Sequence, residues 1–277
     1  YTPGPATEKE WAETYPLEKE ALDYFINHAG SPNGVIDGGI AIFAAGNEYA
    51  GNPAFPGAYS KCVCVSSVAA DFTPACYTDY GTLVTLSAPG GDLEYYGKVG
   101  EAEDEYWSET TEQKGAVLST MIQNGKPAYG YMEGTSMACP HVSGVAALGL
   151  SYAVKQHRHY RAADFVSLMK RSVKDLDGYY TGGATKTYYM NHTTVGASPE
   201  IVNLSKYIGK MGTGLIDAVQ LLNNIKNKEN SSDMKLPNVY IGLEKTTILN
   251  LPSYFEGVES GYTCSVADGN VASATIT

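Results

Sequence analysis

Residues 39–45 read Gly-Ile-Ala-Ile-Phe-Ala-Ala, an apolar run without alternation, and Gly46-Asn47 closes it as a turn. The run is too short for an ordinary helix, and its lack of polar alternates means that both faces are covered. That is the pattern of a strand in a parallel sheet with helices on each side, which restricts the chain to an α/β architecture. Residues 62–68, Cys-Val-Cys-Val-Ser-Ser-Val, have the same character. Shorter strands are predicted at 83–86 and 116–118.

The helical signals fall between and after these strands. Residues 8–28 form one or two helices: Pro16 suits a first helical position, and Leu17, Ala21, Tyr24, Phe25 and His28 follow at helical spacing before Gly30 and Pro32. A long apolar helix is predicted at 136–153, packing through Val142, Val145, Ala146, Gly149, Leu150 and Ala153. Another is predicted at 162–173, burying Phe165, Leu168, Met169 and Val173. A last one starts near Leu215 and buries Ala218, Val219, Leu222 and Ile225. The stretch 101–112 reads as a solvated acidic loop, and 179–198 as a polar excursion rich in Tyr and Gly.

Near Asn230 the texture changes. From 238 onward apolar residues recur with period two: Val239, Ile241, Leu243; Thr247, Leu249, Leu251; Tyr262, Cys264, Val266; Ala272, Ala274, Ile276. This predicts four short strands, about half of a β-sandwich of roughly 100 residues. The expected organisation is therefore an α/β domain over 1–229 and the start of a β-sandwich (Ig-like) domain over 230–277. The opening Tyr-Thr-Pro-Gly-Pro carries no initiator Met and no basic or apolar leader, and reads as the start of a fragment or processed chain.

Thirty acidic against nineteen basic residues give a formal charge of −11, which disfavours nucleic acid and anionic membrane as partners. No apolar run approaches the ~20 residues of a membrane span. Low charge with abundant Tyr and Gly suggests a secreted or cell-surface protein. The cysteines, Cys62, Cys64, Cys76, Cys139 and Cys264, are too few for a disulfide scaffold and read as buried small hydrophobes, Cys62 and Cys64 sharing one strand face. No Cys-x-x-Cys or His-x-x-x-His spacing supports zinc.

The chemistry concentrates at Gly134-Thr135-Ser136-Met137-Ala138-Cys139-Pro140-His141-Val142-Ser143-Gly144. A Gly-Thr turn delivers a serine onto the first turn of the long helix, where backbone N–H groups are unpaired and the dipole end is positive. Pro140 removes the donor that the Ser136 carbonyl would otherwise meet, so the first turn is expected to kink. By itself the pattern fits equally an oxyanion-stabilising nucleophile site and an ordinary helix cap with an early proline. A strand-turn-helix nucleophile elbow of the α/β-hydrolase type is disfavoured, because the second glycine of that motif is missing.

These eleven residues closely resemble the nucleophile motif of the subtilisin-like serine peptidases. Three further segments resemble the same family in the same order: Phe43-Ala44-Ala45-Gly46-Asn47-Glu48, Ser87-Ala88-Pro89-Gly90-Gly91-Asp92 and Gly212-Thr213-Gly214-Leu215-Ile216-Asp217-Ala218. The resemblance covers about residues 15–226. It implies a subtilisin-like parallel sheet flanked by helices, here incomplete on its N-terminal side, and a serine endopeptidase acting on polypeptide. It implies Ser136 as nucleophile and the Asn47 side chain with the Ser136 N–H as oxyanion hole. It further implies that Ala44, Ala45, Gly46, Gly134 and Thr135 contact substrate, with Ala54 near the pocket floor. Structural calcium is a family possibility for acidic loops near Asp92 and 101–104, against plain solvation. No other cofactor is expected.

The family's Asp-Ser/Thr-Gly and His-Gly-Thr motifs do not occur in this sequence. Val35-Ile36-Asp37-Gly38-Gly39 is superficially like the first, yet it runs straight into the strand of Asn47, and Asp37 reads as a turn residue. His141 lies five positions after Ser136, about 140° around the helix, out of reach of its hydroxyl. His28, His157, His159 and His192 read as structural or solvated. The base and its orienting carboxylate are thus expected upstream, and the missing N-terminal part of the same protein is an expected partner. The competing expectation is a pseudopeptidase that keeps the fold as a binding or adhesion scaffold.

Overall fold

The computed structural model describes residues 5, 7–92, 115–188 and 200–227. The elements are α1 (Glu8–Thr14), α2 (Pro16–His28), β1 (Ile36–Asp37), β2 (Ile42–Ala44), β3 (Val63–Val68), β4 (Leu86–Pro89), β5 (Val117–Gln123) and β6 (Lys126–Met132). They continue with α3 (Thr135–Lys155), β7 (Tyr160–Arg161), α4 (Ala162–Arg171), β8 (Val173–Lys174), β9 (Thr185–Tyr188), β10 (Glu200–Asn203), β11 (Leu215–Ile216) and α5 (Ala218–Asn227). The fold is α/β, and its central sheet has the order β2-β3-β4-β11-β8. The first three strands and β11 run parallel, while β8 closes the far edge antiparallel to β11.

Both faces of this sheet are covered, as the unbroken apolar runs require. Ile42, Val63, Val65, Leu86 and Ala88 pack against Ala138, Val142, Ala146 and Ala153 of α3, together with Phe165, Leu168 and Met169 of α4 and Leu221 and Ile225 of α5. The α3 residues recur at helical spacing and are small, so the helix lies close on the strands. At Gly149 an added Cβ would come within 2.8 Å of the Leu221 side chain and 3.0 Å of the Phe165 ring, so a larger residue there would have to displace both. Phe43 and Cys62 face the other way, into a cluster with Trp11, Phe55 and Tyr59 beneath α1 and α2. Trp11 stacks on Phe55 with ring centroids 5.5 Å apart, and its indole N–H donates to Glu18. A third cluster, Val68, Cys76, Tyr77, Leu176, Tyr180, Tyr188, Leu204 and Tyr207, fills the space beyond the strand ends.

Several expectations shift by a few residues, for local reasons. The strand placed at 83–86 lies at 86–89, because Gly81 and Val84 close a turn first. The residues at 116–118 open an antiparallel hairpin, β5 with β6, outside the central sheet. Leu215 and Ile216 are not helical: they form β11 between β4 and β8, and α5 begins at Ala218 with Asp217 accepting from the Gln220 N–H. Asp37 is not a turn residue, because it lies in β1, paired in parallel with Arg161. The polar excursion contains β9, paired antiparallel with β10. By length and composition α3 would suffice to cross a membrane, although here it packs on the sheet. The predicted β-sandwich residues, the acidic stretch 101–104, His192 and Cys264 lie outside the described residues.

Asp92 is neither solvated nor in an open acidic loop. Its carboxylate is fully buried, 2.5 Å from the buried Lys186 ammonium, and accepts from the Cys76 N–H. Lys186 also donates to the Thr73 hydroxyl and the Pro74 carbonyl. Replacing one partner leaves the other charge buried. Lys186→Met is expected to cost about 3–5 kcal/mol of stability at pH 7, read from urea unfolding midpoints, because it leaves the buried Asp92 charge without its cationic partner.

Candidate active site

The site forms where the C-terminal end of β2 meets the N-terminus of α3. Gly134 is the N-cap residue of α3, with φ 141° and ψ 159°, a backbone region that a side chain disfavours. Its N–H is held by two acceptors, the Gly90 carbonyl at 2.9 Å and the Tyr77 hydroxyl at 2.8 Å. The buried Tyr77 hydroxyl also meets the Gly90 and Gly91 carbonyls and the Ser67 hydroxyl. One phenol therefore ties β3, the turn after β4 and the start of α3 together. An added Cβ at Gly90 would lie 2.1 Å from the Ser67 hydroxyl and 2.5 Å from the Gly134 carbonyl, so that turn must also be bare.

Thr135 begins the helix and is fully buried. Its N–H and its hydroxyl both donate to Asn47 Oδ1, at 2.9 and 2.8 Å, and its hydroxyl accepts from the Gly46 N–H. A backbone N–H only donates, so the Asn47 amide is oriented with its oxygen toward Thr135 and its NH₂ away from it. Asn47 and Ser136 are both exposed. The Ser136 N–H is the second of the helix and has no carbonyl within α3 to meet. An exposed hydroxyl, an oriented amide NH₂ and an unpaired helix N–H thus share one end of α3.

Asn47 is itself held from behind. Its N–H donates to the Glu48 carboxylate at 2.8 Å. The buried Asp79 accepts from the N–H groups of Glu48 and Ala50, and its own N–H donates to the Gly46 carbonyl. Burial, and then the neighbouring Glu48 carboxyl, push the Asp79 carboxyl up to about 7, against the pull of its bonds to the Ala50 and Glu48 N–H groups. Gly46 sits at φ 120°, and an added Cβ would fall 2.2 Å from Asp79 and 2.7 Å from Glu48.

The expected pocket residues are arranged unequally. Ala44 and Gly46 are half-buried, whereas Ala45 is fully buried against Cys64 and Val84 and offers no surface to a groove. The Ala54 N–H donates to the Ala45 carbonyl, which places Ala54, also half-buried, beside the same strand end. Gly57 packs between the Ala44 and Ala54 carbonyls, where a Cβ would come within 2.9 Å. Cys139, three residues beyond Ser136, donates to the Ile42 carbonyl, and burial pushes its thiol up, so it is no thiolate nucleophile.

The described histidines are elsewhere. His141 is exposed and donates from Nδ1 to the Met137 carbonyl of its own helix. His159 bonds the Gly34 carbonyl. Among the described residues no histidine is hydrogen-bonded to Ser136, and no group of three or more His, Cys, Asp or Glu side chains is arranged to hold a metal. Sequence reading missed Tyr77, Asp79 and the carboxylate role of Glu48. A Tyr-Thr-Asp-Tyr-Gly stretch between strands was the available signal, but its partners lie some 30 to 60 residues away along the chain.

A model of the subtilase family matches residues 4–196. Halolysin from Haloferax mediterranei is 35% identical over 137 residues, 50% of this chain and 20% of that protein. An extracellular basic protease from Dichelobacter nodosus is 24% identical over 244 residues, 84% of this chain and 33% of its own length. Among solved structures, a lanthipeptide protease is similar with a TM-score of 0.48 and 21% identity, covering 78% of this chain and 57% of that one. The chain thus spans a fifth to a third of the length of those two curated relatives.

Proposed function

Since the chain belongs to the subtilase family, we propose that it supplies the nucleophile and oxyanion side of a serine endopeptidase site. The observation that carries this is the double donation of Thr135 to Asn47 Oδ1, which fixes the Asn47 NH₂ beside the start of α3. In this reading Ser136 Oγ attacks a peptide carbonyl carbon and its proton passes to a base. The carbonyl π electrons move onto oxygen, and that oxyanion is received by Asn47 Nδ2 and the Ser136 N–H. Collapse expels the amine, which takes the proton from the protonated base, and water then hydrolyses the Ser136 ester by the same route.

The half-buried Ala44, Gly46 and Ala54 form the wall and floor on which an extended polypeptide lies, and the buried Ala45, Gly134 and Thr135 back them. The base and its orienting carboxylate lie outside the described residues, in the N-terminal part of the same protein, which is the expected structural partner. Secretion is the proposed compartment: relatives from Dichelobacter nodosus and Xanthomonas campestris are named as extracellular proteases. A second reading, a non-catalytic scaffold, draws on one observation, that no described histidine contacts Ser136. A fluorophosphonate separates the two. Peptide mapping of the labelled full-length protein places the adduct on Ser136 if the endopeptidase reading holds, and finds no adduct if the scaffold reading does.

A further inference from the structure

The two acidic residues behind Asn47 form an arrangement that hydrogen-bond stoichiometry constrains. Asp79 is buried and Glu48 exposed. One Asp79 oxygen, Oδ1, accepts from the Glu48 and Ala50 N–H groups at 3.0 and 2.7 Å. The other, Oδ2, and Glu48 Oε2 both lie over Gly46, 2.2 and 2.7 Å from where a Cβ on that residue would stand, so the two carboxyls sit side by side. Two ionised carboxylates side by side have no donor between them and repel, so their close approach favours one shared proton. Asp79 holds it, because it is the desolvated member. Glu48 then accepts twice, from Asp79 and from the Asn47 N–H.

We propose that Asp79 and Glu48 share a proton and act as positioning residues for Asn47, so that deprotonation of the pair loosens the oxyanion-hole loop. The proposal rests on the reading of Asn47 as the oxyanion donor. The other ionisable groups facing Asp79 are the phenol of Tyr80 and the thiol of Cys64, both neutral and both pushed up by burial and by Asp79 itself. Nearby cations serve other partners: Lys206 donates to the Tyr49 hydroxyl and lies over the rings of Tyr49, Tyr80 and Tyr207, and Lys210 lies over Tyr80. Among the described residues Asp79 makes no ion pair. When the shared proton leaves, two adjacent carboxylates repel, with no ion pair among the described residues to offset the added charge.

Asp79→Asn imitates the protonated state at every pH. Its carbonyl oxygen keeps the two backbone N–H groups, and its NH₂ donates to the Glu48 carboxylate. The experiment compares kcat and KM of the full-length wild type and Asp79→Asn from pH 5 to 10, with fluorophosphonate labelling as a check on the catalytic reading. Wild type is expected to lose kcat about tenfold above neutrality, a fraction of the ~10²–10³ that deletion of an oxyanion donor costs, with KM little changed. Asp79→Asn is expected to keep its alkaline plateau, while the acid limb set by the base stays common to both. Identical alkaline limbs overturn the proposal.

Unfolding curves give a readout independent of activity. The unfolded Asp79 ionises near its ordinary value, whereas the folded one keeps its proton to higher pH. Wild-type stability relative to Asp79→Asn must therefore fall as pH rises from about 4 to about 7, then level off. Parallel curves overturn the shared proton whatever the kinetics show. If the fluorophosphonate labels neither protein, the catalytic reading fails, and the positioning role with it, while the stability gap still reports on the pair.

Discussion

Ser136→Ala in the full-length protein is expected to abolish peptide hydrolysis and fluorophosphonate labelling while leaving the fold intact. The loss in kcat is expected at about 10⁶-fold, the magnitude that removing a serine nucleophile has in a related peptidase. Ser136 is exposed, so deletion of its hydroxyl opens no cavity and strands no buried partner. Thermal unfolding of the variant should therefore match wild type. Undiminished labelling of the alanine variant would assign the nucleophile elsewhere on the chain.

The second large effect concerns Asn47, and two substitutions separate its two duties. Asn47→Ala removes both the NH₂ proposed to meet the oxyanion and the Oδ1 that receives the Thr135 N–H and hydroxyl. Asn47→Asp keeps those acceptors but puts a negative carboxylate oxygen where the donor stood, so its kcat loss is at least that of the alanine variant. Both variants are expected to lower kcat by about 10²–10³ with little change in KM, because the donor acts on charge that appears only in the transition state. The alanine variant should also be less stable, by about 1–3 kcal/mol, since the buried Thr135 loses its partner. The aspartate variant should escape most of that loss. A change confined to KM would make Asn47 a substrate-binding residue instead.

The parts of this molecule legible in the sequence are those written in local periodicity. The run at 39–45 and the stretch at 62–68 announced a sheet covered on both faces, and β3 is buried at each of its positions. The helix after Gly134 was visible for the same reason, its small residues falling on one face. The motifs around Ser136 and Asn47 pointed to one end of α3, and the structure brings the two residues to that end. What escaped was written in pairs distant along the chain. Leu215 and Ile216 have helix-compatible neighbours, and only pairing with Ser87 and Lys174 makes them a strand. Asp92 looked like a surface acid because its partner, Lys186, is 94 residues away. Asp79 and Tyr77 acquire their roles only when residues 46–50 and 134 are brought beside them.

The place of β11 in the sheet also has a consequence for when the sheet can be completed during synthesis. They sit between β4 and β8, with Leu215 opposite Ser87, so the strand that joins the two halves of the sheet is supplied about 130 residues after the strand it completes. As the chain emerges from the ribosome, β2, β3 and β4 can pair early, but the free side of β4 has no neighbour until residues 215–216 arrive. Closure of so long a loop is entropically uphill and slow. During that interval β4 presents an unpaired edge, the surface on which nascent chains aggregate. Synthesis through residue 216 is therefore the point at which the free side of β4 can be covered.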